Sequence, residues 1–229
     1  MNQERDRVAG LIRVMNDPGA PPMERFLACR DLTEEGEAAG FDAVIRAAGD
    51  PDGTPWYDYS IDRKFSVDST FSQLALAVDV SHYEVEEKGT AALREEAFRA
   101  LIRLADTQYF EDRLGELIDS ATVRAALGEI KEAVGRGVRA LAAGKKQRFD
   151  LATQLVDLAC AVTPVDGPLS VELAMSVLRV SASPRTLKHA VTIVHRAEGP
   201  EMREFGEYLM TVGDERVRTE VHDALGDSR

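Results

Sequence analysis

The chain has 229 residues, of which 44% are hydrophobic and 30% are charged, and this balance excludes a disordered polypeptide. The formal net charge of −12 argues against a nucleic-acid partner, because binding to phosphate backbones depends on Lys and Arg. No stretch approaches the roughly 20 apolar residues that a membrane span requires, and the first residues are charged, so we expect a cytoplasmic protein with no membrane partner.

The first fifty residues predict three helices. Apolar residues recur at helical spacing over 8–15, and this pattern ends at the breaker sequence of residues 16–19. A second helix is predicted over 23–35 and a third over 37–48. Because only Gly36 separates them, these two helices should form a tight antiparallel hairpin.

Residues 50–66 lack helical periodicity and are predicted to form an irregular insertion that concentrates aromatic and acidic side chains. Tyr and Trp suit binding surfaces, because each combines a large apolar area with a polar group. The alternative is that these rings fold back and plug the groove between helix pairs. The candidate binding residues of the insertion are Trp56, Tyr57, Asp58 and Tyr59.

Acidic charge is concentrated in one part of the chain. Residues 51–120 contain 15 acidic and 7 basic residues, whereas residues 121–163 contain 4 and 7. A solvated acidic linker is predicted over 81–90, and its glutamates are expected to steer a basic partner towards the protein. These steering residues are Glu84, Glu86 and Glu87.

Helical periodicity resumes over 67–80 and continues over 91–105, 107–119 and 122–143. Glycines inside the last pattern each cost about 1 kcal/mol relative to alanine, which predicts close helix packing or a break near Gly135. The following lysines, Lys145 and Lys146, are interpreted as a cationic helix junction.

The last third of the chain predicts five helices. Their apolar stripes begin at spacings of 15–18 residues, and a breaker or a capping residue separates each from the next. Two helices per repeat give a period of about 33–36 residues, which is typical of solenoids. With no apolar–polar alternation of a strand, we expect an all-α domain over 1–229 with about eleven or twelve helices.

Several segments resemble HEAT-like repeats. The segment 213–227, GDERVRTEVHDALGD, has the turn Asp, the following Val-Arg and the late Ala-Leu of the second helix of such a repeat. The segment 93–106, LREEAFRALIRLAD, is similar. Residues 23–50 match the outline of the helical hairpin. The resemblance implies an α-solenoid of antiparallel helix pairs with a concave binding face. A non-repetitive helical bundle is the alternative.

No motif points to catalysis or to a metal. No two of the four histidines have the spacing of a helical zinc pair, and the Gly-x-Ser-x-Gly elbow is absent. The two cysteines lie in apolar helical patterns and should be buried thiols. We therefore predict a protein that is not an enzyme, with no catalytic residue, metal or cofactor.

These observations favour an interaction scaffold, either an adaptor or an inhibitor of the immunity type, which binds a basic protein or peptide through an acidic groove with aromatic side chains. The alternative is a nucleic-acid enzyme resembling the HEAT-like DNA glycosylases, which the charge disfavours. A third possibility, a helical bundle that senses a small molecule, requires a closed apolar cavity.

Overall fold

The computed structural model describes residues 2–56, 61–62, 67–196 and 199–226. Within these ranges the chain is almost wholly helical, with fourteen α-helices, and the predicted all-α class is confirmed. The one sheet in these ranges is an antiparallel pair of two-residue strands, β1 (Ile61–Asp62) and β2 (Val67–Asp68). None of the described helices is both long enough and apolar enough to cross a lipid bilayer.

The chain divides into two compact units. Unit 1 comprises Met1–Leu104 and Gln108–Glu111, and unit 2 comprises Ala105–Thr107 and Asp112–Arg229. The single domain over 1–229 stays a prediction.

Unit 1 is built around the second and sixth helices. Its helices are α1 (Asn2–Asn16), α2 (Pro22–Glu34), α3 (Ala38–Gly49), α4 (Thr70–Val80), α5 (Val85–Lys88) and α6 (Ala91–Ile102), with a 3-10 helix over Ser81–Tyr83. Helix α2 packs against α1, α3 and α4, and α6 packs against α3 and α4. The core contains the fully buried rings of Phe41, Phe71 and Phe98.

The predicted turn between α2 and α3 is confirmed. Gly36 has a φ of +70°, a left-handed conformation that glycine adopts without steric cost. A few residues later, a Cβ on Gly40 would lie 2.5 Å from the backbone nitrogen of Thr33. The absence of a side chain at Gly40 therefore allows α3 to pack directly on the end of α2.

Unit 2 is built around one fully buried helix. Its helices are α7 (Leu114–Leu117), α8 (Ser120–Ala125), α9 (Leu127–Ala142), α10 (Leu151–Val162), α11 (Gly167–Leu178), α12 (Pro184–Arg196), α13 (Pro200–Val212) and α14 (Glu215–Gly226). All twelve residues of α10 are buried, and it packs against α7, α8, α9, α11 and α12. From α10 to α12, each helix also contacts the next two helices along the chain.

The five helices predicted in the last third, now α10 to α14, are confirmed. In the middle of the chain, one predicted helix is wrong and another is confirmed only in part. Over 107–119 the only described helix is the short α7, because Glu111 and Asp112 have φ values of +57° and +54°, which an α-helix cannot contain. The helix predicted over 122–143 is interrupted at Ala126 and not near Gly135.

The predicted close packing of this region is found at Gly137, where a Cβ would lie 2.5 Å from Cδ1 of Leu155 on α10. The helix predicted over 67–80 starts at Thr70, after β2. The segment 81–90 is folded as a 3-10 helix and α5, with Val85 and Thr90 buried, so it is not a solvated linker throughout.

Candidate interaction surfaces

Trp56, the first residue of the predicted binding set, is a core side chain. Only 4% of it is exposed, and its ring centroid lies 6.4 Å from that of Phe26 on α2. It lines an open cavity of about 230 Å³ together with Arg25 and Arg46. For Trp56 the structure therefore supports the plugging alternative. Tyr57, Asp58 and Tyr59 lie outside the described residues.

The predicted steering residues Glu84, Glu86 and Glu87 are all exposed. Their segment packs directly on the turn between α2 and α3. The hydroxyl of Thr90 donates to the carbonyl oxygen of Gly36 over 2.8 Å, and Lys88 forms an ion pair of 2.5 Å with Glu37.

Beside these glutamates lies an aromatic residue that the sequence analysis did not single out. Tyr83 ends the 3-10 helix and is 79% exposed, and its ring centroid lies 3.5 Å from that of His82. Val80, at the end of α4, is exposed as well. We call this patch the Tyr83 surface, and it consists of Val80, His82, Tyr83, Glu84, Glu86 and Glu87.

Unit 2 has a surface of the opposite charge. The second half of α9 and the segment leading to α10 border an open pocket of about 580 Å³. We call it the basic pocket, because five cationic side chains line it: Arg136, Arg139, Lys145, Lys146 and Arg148. Gly144, with a φ of +64°, follows the end of α9, between Ala143 and Lys145 of the pocket lining.

One carboxylate belongs to the basic pocket. Asp106 accepts two hydrogen bonds from Arg136, of 3.1 Å from Nε and 2.8 Å from a terminal nitrogen. This hydrogen bonding raises the pKa of the Arg136 guanidinium, which holds its positive charge at the pocket wall. Phe149 and Thr107 complete part of the lining.

A buried polar network joins α10 to its neighbours. Asp157 on α10 accepts a hydrogen bond of 2.7 Å from the backbone N–H of Gly115 and lies 3.3 Å from Nε2 of His189 on α12. Burial raises the pKa of Asp157. For His189, burial favours a lower pKa, but the hydrogen bond and charge of Asp157 outweigh it and the pKa is raised. These contacts fix α7 and α12 on α10.

Asp112 is a second buried carboxyl group of unit 2. It is only 7% exposed, and one oxygen forms an ion pair with Arg185. Its other oxygen, Oδ1, has no hydrogen-bond partner among the described residues. Burial raises the pKa of Asp112 to about 6, because the partial compensation by Arg185 does not offset the lost hydration.

Other reactive side chains are packed away. Cys29 and Cys160 are free and buried, as predicted, and burial raises the pKa of Cys29 to about 12. Neither thiol is therefore placed to act as a nucleophile.

Within the described ranges, no group of three or more His, Cys, Asp and Glu residues could hold a metal ion.

No family model, curated protein or solved structure matches this chain. The HEAT-like resemblance of residues 93–106 and 213–227 thus stays an expectation, and the function has to be inferred from the surfaces themselves.

Proposed function

We propose that this protein is a non-catalytic interaction protein, an adaptor or an inhibitor, that binds a basic protein or peptide through the Tyr83 surface. One observation carries the proposal: the aromatic side chain of Tyr83 is 79% exposed in the midst of exposed glutamates. Tyr is enriched at the energetic centres of protein interfaces, because it loses little conformational entropy while burying a large area.

The charge of the Tyr83 surface indicates the chemistry of the partner. Lys88 is the one cation of its segment, and it is already paired with Glu37, so Glu84, Glu86 and Glu87 give the patch a net negative charge. Lys and Arg side chains of a partner complement these carboxylates and can also lie over the face of the Tyr83 ring. The interaction should weaken as salt is added, because exposed charges are screened.

We also infer that unit 2 is a stack of helix pairs of the HEAT type. The contacts of α10 with α11 and α12, of α11 with α12 and α13, and of α12 with α13 and α14 support this inference. In a two-layer stack, each helix touches its partner and the equivalent helix of the next pair.

A defined cationic peptide provides the first test of the proposed function. We expect a fluorescent Arg- and Lys-rich peptide to bind the wild-type protein in an anisotropy assay at about 50 mM salt and to dissociate at about 500 mM, where the Debye length is much shorter. Tyr83→Ala and the pair Glu86→Gln with Glu87→Gln should each weaken binding about fivefold or more.

Glu24→Gln is the control, because Glu24 is an exposed glutamate of the same unit in the first turn of α2, at the opposite end of that helix from the turn on which the Tyr83 segment packs. It should change the affinity less than about twofold. Equal losses in Tyr83→Ala and Glu24→Gln, or an unchanged affinity in Tyr83→Ala, would contradict the proposal. Capture from a cell extract at the two salt concentrations then identifies the natural basic partner.

A further inference from the structure

The basic pocket concentrates positive charge in a chain whose net charge is −12. Five cationic side chains and one carboxylate line it, and that carboxylate, Asp106, is engaged by Arg136. Among the described residues, no carboxylate lies within ion-pair distance of Arg139, Lys145 or Lys146. Several like charges held around one cavity repel each other, and an anion inside it would relieve that repulsion.

The end of α9 accounts for only part of this cluster. Cations near the C-terminus of a helix are stabilised by the helix dipole, and Arg139, Lys145 and Lys146 lie close to that end. The dipole effect falls off within the last turn. Arg136 lies before the last turn and Arg148 lies six residues beyond Ala142, so the dipole does not explain why both border the same cavity.

We propose that the basic pocket binds a small anion that carries phosphate groups. Its volume of about 580 Å³ falls within the roughly 300–1,000 Å³ of small-molecule sites. Guanidinium groups can bind phosphate oxygens through two parallel hydrogen bonds, and lysines add compact charges. The half-buried ring of Phe149 offers an aromatic surface beside these cations.

The same observations favour a small ligand over a nucleic acid. A long polyanion needs a basic track that extends along its backbone, because affinity comes from neutralising many phosphates. Here the segment 121–163 has a net charge of +3, whereas residues 51–120 have 15 acidic and 7 basic residues. A ligand that fits inside the pocket needs only the cations that line it.

Calorimetric titration of the full chain with inorganic pyrophosphate and with ATP tests the proposal. We expect both probes to bind at about 50 mM salt and to bind more weakly as the salt concentration rises. Equal affinities for pyrophosphate and ATP would show that the pocket recognises the phosphates alone. If ATP binds more tightly and Phe149→Leu removes the difference, the aromatic ring also contributes to recognition.

Two double variants distinguish binding in the basic pocket from nonspecific attraction of the anion by positive charge. Arg139→Gln with Lys145→Gln removes two pocket cations and should weaken both probes at least tenfold, since hydrogen bonds to charged groups are strong. Arg124→Gln with Lys131→Gln removes the same charge from exposed positions that do not line the pocket, and it should weaken binding less than about twofold. Thermal unfolding checks that both variants are folded.

Three results would overturn the proposal. The first is that neither probe binds at a concentration of about 1 mM, because the dissociation constant of a specific small-molecule site lies below that value. The second is an equal loss of affinity in the two double variants. The third is a single-stranded oligonucleotide that binds more tightly than ATP and depends on Arg139 and Lys145, which would assign the pocket to nucleic acid.

Discussion

Replacing Asp112 with Asn should stabilise the protein above neutral pH. The carboxyl group is buried, and burial raises its pKa to about 6, so at pH 8 the folded protein holds a poorly hydrated negative charge. Asn has nearly the same shape without the charge. It also tolerates the φ of +54° at this position, since Asn is among the residues that adopt left-handed backbone most readily.

The size of the effect follows from the two pKa values of Asp112. The folded value of about 6 exceeds the ordinary value of 3.8 by roughly two units, which corresponds to about 3 kcal/mol. Because the folded pKa is the higher one, the cost is fully present above pH 6 and disappears below pH 3.8. The value of about 6 already includes the attraction of Arg185, so only the cost of an unpaired buried amide, about 1–2 kcal/mol, is subtracted. We expect a net gain of about 1–2 kcal/mol at pH 8.

Urea denaturation followed by far-UV circular dichroism at pH 4.5, 6 and 8 measures this effect. In the wild-type protein, the raised pKa values of Asp112, Asp157 and His189 all favour protonation of the folded state, so stability should fall as the pH rises. Asp112→Asn should reduce that fall, and Arg185→Gln should increase it. A loss of more than 1 kcal/mol in Asp112→Asn at pH 8, or an unchanged pH dependence, would refute the reasoning.

Two further predictions concern packing. Gly128→Ala should stabilise the protein by up to about 1 kcal/mol, because open space surrounds that position. Gly137→Ala in the same helix should destabilise it by about 1–3 kcal/mol, because the added methyl group overpacks against α10. Urea denaturation of the two variants compares them directly, and equal effects would contradict the packing. Trp56→Ala should lower the free energy of unfolding by about 3–5 kcal/mol as expected for a core ring, and an unchanged thermal midpoint would show that the ring is not core.

The helices of the last third could be predicted because their local signals agree with their packing. Asp150, Asp166 and Asp214 each accept a hydrogen bond from a backbone N–H three residues later, so the breakers in the sequence are also helix caps. The region around Glu111 and Asp112 gives no such signal. Asp112 is paired with Arg185, 73 positions away. Hydrophobic periodicity is a local signal, so it cannot reveal the left-handed backbone at this position or its distant partner.

The candidate surfaces show the same limit. Trp56 and Tyr83 both lie among acidic residues outside the long helices, and composition alone does not distinguish them. Phe26, thirty residues before Trp56, packs against the indole, whereas Tyr83 stays in solvent. The block of lysines after α9 was visible in the sequence, but the arrangement of a pocket around it depends on Asp106, which lies far upstream.

Helix α10 has a consequence for how unit 2 is assembled. The segment Leu151–Val162 carries a single charged residue, Asp157, and all twelve of its residues are buried. Most of the surface of this helix is apolar, and it would be exposed to water if the neighbouring helices moved apart. Partial unfolding of unit 2 would expose this apolar helix to solvent and to other molecules. The packing of unit 2 around α10 therefore also protects the protein against aggregation.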